Sequence, residues 1–282
     1  MPEGWQWDPS LFAGSARYYT QGRLPYPGGL ADRFRSVADL GGRPRLLDVG
    51  CGPGTVALTL AGLFVEVIGI DPDHDMLEEA ARRAHHLGLT NTAWIEARAE
   101  ELAPSLGPVR YATFAQSFHW MDRPQVAARV FDLLEPGGAF VHVNTEVADS
   151  PAPPVLPHPL APTAAVADLV ATYLGVHRRA GRGELRHGTP GGEGAVLAAA
   201  GYEPVQVVLV EGRRILERSV DDVVADVFSR SSSAPHLFGA DLARFETDLR
   251  RLLGAAADEG WFSAWQGDLS LDFYRRPREG AA

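Results

Sequence analysis

The stretch Arg45-Leu46-Leu47-Asp48-Val49-Gly50-Cys51-Gly52-Pro53-Gly54-Thr55-Val56-Ala57-Leu58-Thr59-Leu60 decides the fold. A short apolar run enters a glycine-rich turn, and a second apolar run leaves it. Glycine lacks a Cβ and accepts positive φ, so a turn of this kind between a strand and a helix lets the backbone approach a ligand closely. The dinucleotide fingerprint Gly-x-Gly-x-x-Gly needs its third glycine for tight helix packing while the helix N-terminus receives a pyrophosphate. Here Thr55 occupies the third position and Gly54 comes one residue early. That weakens a pyrophosphate reading, and the turn alone leaves a dinucleotide and a sulfonium nucleoside both open.

Working outward, the segment from Arg45 to about Asn144 alternates strand-like apolar runs with helical stretches, the pattern of a parallel sheet wound by crossover helices. Strands are expected at Arg45–Val49, Val65–Ile70, Thr92–Glu96, Tyr111–Ala115 and Ala139–Val143, with helices at Val56–Leu63, His74–Leu87 and Pro124–Leu134. Glu135-Pro136-Gly137-Gly138 reads as the stop of the last helix and a turn. An aromatic segment, Trp5 to Tyr26, and a helix from Gly28 to Leu40 precede this core. Beyond it, Ser150 to Pro162 is proline-rich and reads as a loop, followed by a helix at Ala164–Leu174 and an arginine-rich run at 177–183. The rhythm resumes with a helix at Glu193–Ala200, a strand at Val205–Val210, helices at Val220–Ser229 and Asp241–Ala257, and a strand at Leu269–Tyr274. Ser219 followed by Asp222 reads as a helix-capping box. The expected organisation is therefore residues 1–44 as an aromatic and helical segment over the ligand, 45–149 as the binding core, 150–192 as a cap insertion, and 193–282 as completion of the core with further helical cap elements.

Composition bounds the function. The 282 residues are 45% hydrophobic and 22% charged, ordinary for a globular protein with a full core. A net charge of −10 disfavours non-specific attraction to nucleic acid or an anionic membrane. All 26 basic residues are arginine, which excludes a pyridoxal Schiff base and a P-loop lysine. The single cysteine, Cys51, excludes an internal disulfide and a cysteine-based zinc site and fits a reducing cytoplasm. No secretory leader and no run approaching the ~18 apolar residues of a membrane span is evident, so a cytoplasmic protein is expected.

At the end of the second strand stands Asp71, 21 residues after Gly50, where a carboxylate can accept both hydroxyls of a ribose. The plainer role is a cap for the next helix. Together, LLDVGCGPG, VIGIDPDHDML, QSFHWMD and LLEPGG resemble the class I S-adenosylmethionine-dependent methyltransferases, and within them the type 11 branch; the similar motifs run from about Tyr19 to Val143. The resemblance implies a Rossmann-like α/β fold with a seven-stranded, mostly parallel sheet, its last strand antiparallel, helices on both faces and a helical cap insertion. It implies that Gly50, Cys51 and Gly52 line S-adenosylmethionine, that Asp71 binds the ribose, and that Pro72 and Met76 border the adenine. The segment Tyr19-Thr20-Gln21-Gly22-Arg23-Leu24-Pro25-Tyr26-Pro27 is similar to the family's Y-x-x-x-R-P-x-Y-P, with Leu24 in place of the first proline, and brings Tyr19 and Arg23 to the methionine end. Ala99 and Glu100 stand in the adenine-contacting turn, where Arg98 replaces a common aspartate, and Gln116 and Ser117 complete the expected cofactor set.

Methyl transfer from a sulfonium is a direct displacement onto an O, N or C nucleophile, in which alignment supplies much of the catalysis. A hydroxyl acceptor wants a base within hydrogen-bond reach. His119, at the carboxyl end of the fourth strand, is either that base or a residue that ties its loop to the cofactor pocket; Glu146, just beyond the fifth strand, is either a second polar group at the reacting centre or a solvated carboxylate. Arg178, Arg179, Arg182 and Arg186 form either a lid for an anionic substrate or a solvated loop, with His177 and His187 flanking them. The expected partner is a small-molecule methyl acceptor, such as a secondary metabolite, with no nucleic acid, no membrane and no metal, and the chain is expected to be a monomer or homodimer. The alternatives are an S-adenosylmethionine-binding regulatory or partner protein without transfer activity and, less favoured because of Thr55, a nicotinamide-dependent oxidoreductase.

Overall fold

The computed structural model describes residues 7–42, 44–145, 147, 154–177, 179–180, 183–184 and 191–278. In chain order the helices are α1 (Ala16–Gly22), α2 (Leu30–Val37), α3 (Thr55–Leu60), α4 (His74–His86), α5 (Arg123–Leu133), α6 (Thr163–Leu174), α7 (Glu193–Ala199), α8 (Val220–Phe228) and α9 (Leu242–Ala256). The strands are β1 (Arg45–Val49), β2 (Glu66–Asp71), β3 (Thr92–Glu96), β4 (Val109–Ala115), β5 (Leu134–Asn144), β6 (Arg179–Ala180), β7 (Gly183–Glu184), β8 (Glu203–Val210), β9 (Arg214–Ser219), β10 (Trp261–Gln266) and β11 (Leu269–Arg275).

Seven strands form one sheet in the order β3-β2-β1-β4-β5-β11-β8. The pairs among β1 to β5 are parallel, and β11 runs antiparallel to both its neighbours. This is the expected sheet, last strand included. Side chains alternate across the strands. Leu47, Val49, Ala112, Phe114 and Phe140 face the layer holding α5 and α7, while Leu46, Tyr111, Ala139 and Val141 face the layer holding α2 and α3. Both faces are therefore covered by helices, and the ligand end of the sheet is set by the carboxyl ends of β1, β2 and β4, on either side of the switch in strand order.

Three local outcomes differ from the sequence reading. Glu135-Pro136-Gly137-Gly138 does follow the end of α5, but it lies inside β5 as a loop-out: Val109 pairs with Leu134 and Tyr111 with Ala139, so the register jumps across it. Gly137 supplies the positive φ, +81°, that the excursion needs. The segment expected to be merely aromatic contains α1, which crosses α8 so closely that a Cβ on Gly22 would sit 2.4 Å from the Ala225 backbone. A separate two-stranded antiparallel sheet, β9 with β10, was not foreseen.

α6, α8, α9, β10 and the turn at Pro235–Asp241 gather around Phe228, Phe238, Phe245 and Phe262 in a second apolar cluster beside the main sheet. The capping box of α8 is present: Asp222 N–H donates to Ser219 Oγ at 3.2 Å, and Ser219 N–H donates to Asp222 Oδ2 at 2.9 Å. Two of the four orphan N–H donors that such an end leaves are thereby addressed.

Candidate cofactor and transfer site

The glycine turn is built by three positive-φ glycines, Gly50 (+65°), Gly52 (+52°) and Gly54 (+74°), the last capping α3 in the left-handed conformation. Their surroundings differ. A Cβ on Gly50 would lie 2.6 Å from Ser117 Cβ, so this glycine lets β4 close against the turn. A Cβ on Gly54 would meet the Trp94 ring at 2.8 Å. At Gly52 nothing lies within 4 Å, so the backbone there faces open space, as a ligand cradle requires.

Cys51 N–H donates to Ile70 O at 2.9 Å, tying the turn to β2. The thiol is buried, which pushes its pKa well up and leaves it an inert neutral packing group. Asp71 closes the other side: Oδ2 accepts Gly52 N–H at 2.8 Å and Oδ1 accepts Asp73 N–H at 3.0 Å. Each carboxylate oxygen accepts more than one hydrogen bond, so capacity for two ribose hydroxyls remains. Burial raises the Asp71 pKa to about 6, only partly offset by those two backbone donors. Pro72 is exposed beside it, and Met76 is buried in the first turn of α4, its N–H capped by Asp73 Oδ1 at 3.2 Å.

Ala97 N–H donates to Asp71 O at 3.2 Å, which brings the turn after β3 to the same end of the sheet. Ala99 is buried there. The Glu100 carboxylate turns to the protein: Oε1 accepts Asp122 N–H at 2.8 Å and Oε2 pairs with Arg98 at 3.2 Å.

After β4, Gln116 is exposed and adopts φ +55°, unusual for a residue with a side chain. Ser117 is buried and donates from Oγ to Val49 O at 2.6 Å, holding this loop against β1. The His119 ring packs on Trp120 at 4.9 Å; Trp120 meets Phe12 edge-on at 6.5 Å, and Phe12 meets Tyr19 at 6.5 Å. This aromatic chain brings His119 and Tyr19, 100 residues apart in the sequence, to one side of the site. Arg23 lies over the Tyr19 ring at 5.2 Å and donates from Nη2 to Ser229 O at 3.1 Å, while its buried Nε has no partner. Glu146, Arg178, Arg182, Arg186 and His187 lie outside the described residues, as does the side chain of Arg179.

Several supporting residues escaped the sequence reading. Asp48, buried mid-strand, accepts Thr113 Oγ1–H at 2.8 Å and Ala57 N–H at 3.0 Å, joining β1, β4 and α3 beneath the turn. Burial raises its pKa to about 6. A carboxylate between Leu47 and Val49 in an otherwise apolar strand was the available signal. Trp94 fills a slot left by two missing side chains: a Cβ on Gly69 would lie 2.4 Å from its ring. A glycine inside a strand hints at such an approach but does not name the partner. Arg83 donates to Pro53 O at 2.7 Å from α4, and Tyr26 is partly buried, its pKa pushed up by desolvation and by nearby Tyr19 and Asp48. Among the described residues no group of three or more His, Cys, Asp or Glu could hold a metal, and no helix is long and apolar enough to cross a membrane.

This sheet order, with the glycine turn after β1 and an acid after β2, is the Rossmann-like fold of the class I methyltransferases. Residues 46–138 match the family model described as a methyltransferase domain. A probable S-adenosylmethionine-dependent methyltransferase of Saccharomyces cerevisiae is 30% identical over 140 residues, 48% of this chain and 47% of the relative. An uncharacterized RNA methyltransferase of Thermosynechococcus vestitus is 41% identical over 63 residues, 22% of this chain and 14% of the relative. The chain thus spans half or less of the length of these relatives. The solved structure of a [4+2]-cyclase, SpnF, superposes with a TM-score of 0.54 at 18% identity, covering 95% of this chain and 96% of that one. At that identity the likeness is one of fold.

Proposed function

We propose that the protein transfers the methyl group of S-adenosylmethionine to a small-molecule acceptor by direct displacement onto an oxygen, nitrogen or carbon nucleophile, and that it does so in the cytoplasm as a monomer or homodimer. The observation that carries the reading is the open backbone at Gly52, whose N–H and neighbouring space are framed by Asp71. The residues present fit the cofactor: an unobstructed glycine, a carboxylate with free acceptor capacity, and a buried Arg23 Nε–H that lacks an acceptor. Bound there, S-adenosylmethionine supplies an electrophilic methyl on a sulfonium whose departure as a thioether needs no acid.

In this reading Gly50, Cys51 and Gly52 line the methionine portion and Asp71 accepts the ribose hydroxyls. Pro72, Met76, Ala99 and the Glu100 backbone border the adenine. Tyr19 and Arg23 close over the methionine end, where a guanidinium donor suits a carboxylate. Gln116 and Ser117 shape the floor. His119, on the loop that begins at Gln116, takes the acceptor's proton when the acceptor is a hydroxyl, and Glu146 is the second group assigned to the reacting centre.

A small acceptor is favoured over RNA by the net charge of −10. The fold shared with a cyclase supports keeping a second reading, a cofactor-binding protein without transfer activity. Incubation with methyl-labelled S-adenosylmethionine and candidate acceptors, with calorimetry against S-adenosylhomocysteine and NAD, separates the readings. Tight binding of S-adenosylhomocysteine with label transfer is expected. NAD binding without S-adenosylhomocysteine binding would overturn the assignment, and cofactor binding without transfer to any acceptor would favour the second reading.

A further inference from the structure

α6 is a strongly apolar helix, Thr163-Ala164-Ala165-Val166-Ala167-Asp168-Leu169-Val170-Ala171-Thr172-Tyr173-Leu174, yet not one of its residues is fully buried. Such a helix ordinarily buries its apolar stripe. Between it and α8 lies a cavity of about 330 Å³, at the lower end of the range for small-molecule pockets, ~300–1,000 Å³. Val166, Val170 and Leu174 line it from α6, and Val223 and Val227 line it from α8.

The charged groups at its wall cancel. Arg230 pairs with Asp226 at 2.6 Å, so neither offers a free charge to a ligand. The remaining polar lining comes from Thr163, His177, Ser232 and Ser233, of which Ser233 already donates to Val227 O. Such a wall desolvates a hydrocarbon at no electrostatic cost and penalises a charged ligand, whose hydration it does not replace. A neighbouring face of α8 meets the proposed cofactor site: α1 crosses it at Ala225, and Arg23 donates to Ser229 O at its end.

We propose that this cavity binds an uncharged, mainly hydrocarbon small molecule. A filled cavity would also complete the burial of α6, whose Val166, Leu169, Val170, Tyr173 and Leu174 are half-buried against the aromatic cluster. The probe is the uncharged fluorophore N-phenyl-1-naphthylamine, with its anionic relative 1-anilinonaphthalene-8-sulfonate as the charge control. The full chain binds the uncharged probe, about 10-fold or more tightly than the anionic one. Val170→Trp and, separately, Val223→Trp fill the cavity and weaken that binding by about 10-fold or more, with S-adenosylhomocysteine affinity unchanged by calorimetry. That unchanged affinity also certifies folding. No probe binding to the native chain, or probe binding as tight in both variants as in the native chain, overturns the proposal. Loss of S-adenosylhomocysteine binding in the native chain overturns the cofactor reading instead, and leaves the pocket to be judged by the probe alone.

Discussion

Single residues separate holding the turn from holding the ligand. Gly50 and Gly52 share positive φ but face different surroundings, so alanine should affect them differently. Gly50→Ala drives a methyl into Ser117 and is expected to lower the unfolding midpoint markedly. Gly52→Ala carries only the left-handed strain, about 1–2 kcal/mol, and should fold, yet its methyl enters the ligand space and weakens cofactor affinity about 10-fold or more. Thermal melts and calorimetry with S-adenosylhomocysteine read the two effects apart. Asp71→Ala should also cost about 10-fold or more in affinity, on the scale of lost charge-assisted hydrogen bonds. With the Asp71 pKa raised to about 6, the proposed acceptance of the ribose hydroxyls by its ionised form implies that native affinity is flat above neutrality and falls as pH drops through 6. Asp71→Asn should be weak and independent of pH over that range; a native-like pH profile in that variant would remove Asp71 from the ribose.

Elements show what sequence makes legible. Most core strands and helices appear within a residue or two of their expected bounds because each is a short apolar run with a clear stop, such as the glycines after β1 or the Asp73 cap of α4, whereas β5 starts five residues early at Leu134 and α3 ends three early at Leu60. The cofactor turn was readable because its glycines have a local backbone reason to exist. What escaped depends on distant partners: α1 is held by Arg218 donating to Gln21 O and Gly22 O, and β9 pairs with β10 across more than forty residues. Trp94 reads in sequence as an ordinary core aromatic, and only the fold shows it seated against Gly54 and Gly69. α8 is where local and distant determinants meet, since its Ser219–Asp222 box starts the helix that anchors Arg23 and walls the α6 cavity. Ser219→Ala should cost about 1 kcal/mol, lowering the melting midpoint by about 2–4 °C. It should also weaken N-phenyl-1-naphthylamine binding more than it weakens S-adenosylhomocysteine binding, because the helix start lies nearer Val223 than the glycine turn.

For the molecule as a whole, the ligand end of the sheet carries a cost that its charge reveals. Asp48 and Asp71 both have pKa values raised to about 6 by burial, above the 3.8 of an unfolded aspartate. Below pH 3.8 both states are protonated and the groups contribute nothing. Between there and pH 6 the folded chain holds protons that the unfolded chain has released, so stability from these groups is lost as pH rises through that window. For fully buried Asp48 the loss approaches about 3 kcal/mol by neutrality. Carboxylates with lowered pKa values, such as Asp222 beside Gln21 and the Ser219 cap, work in the opposite direction and lose stability as the medium acidifies. The total profile therefore mixes both signs, and the informative quantity is a difference. In urea unfolding from pH 4 to 7 without cofactor, Asp48→Asn should flatten the profile, its stability relative to the native chain rising with pH until about 6 and then levelling off. The amide can still accept from Thr113 Oγ or Ala57 N–H while no longer titrating. A constant offset between the two proteins across that window would mean that Asp48 is not the group storing the cost.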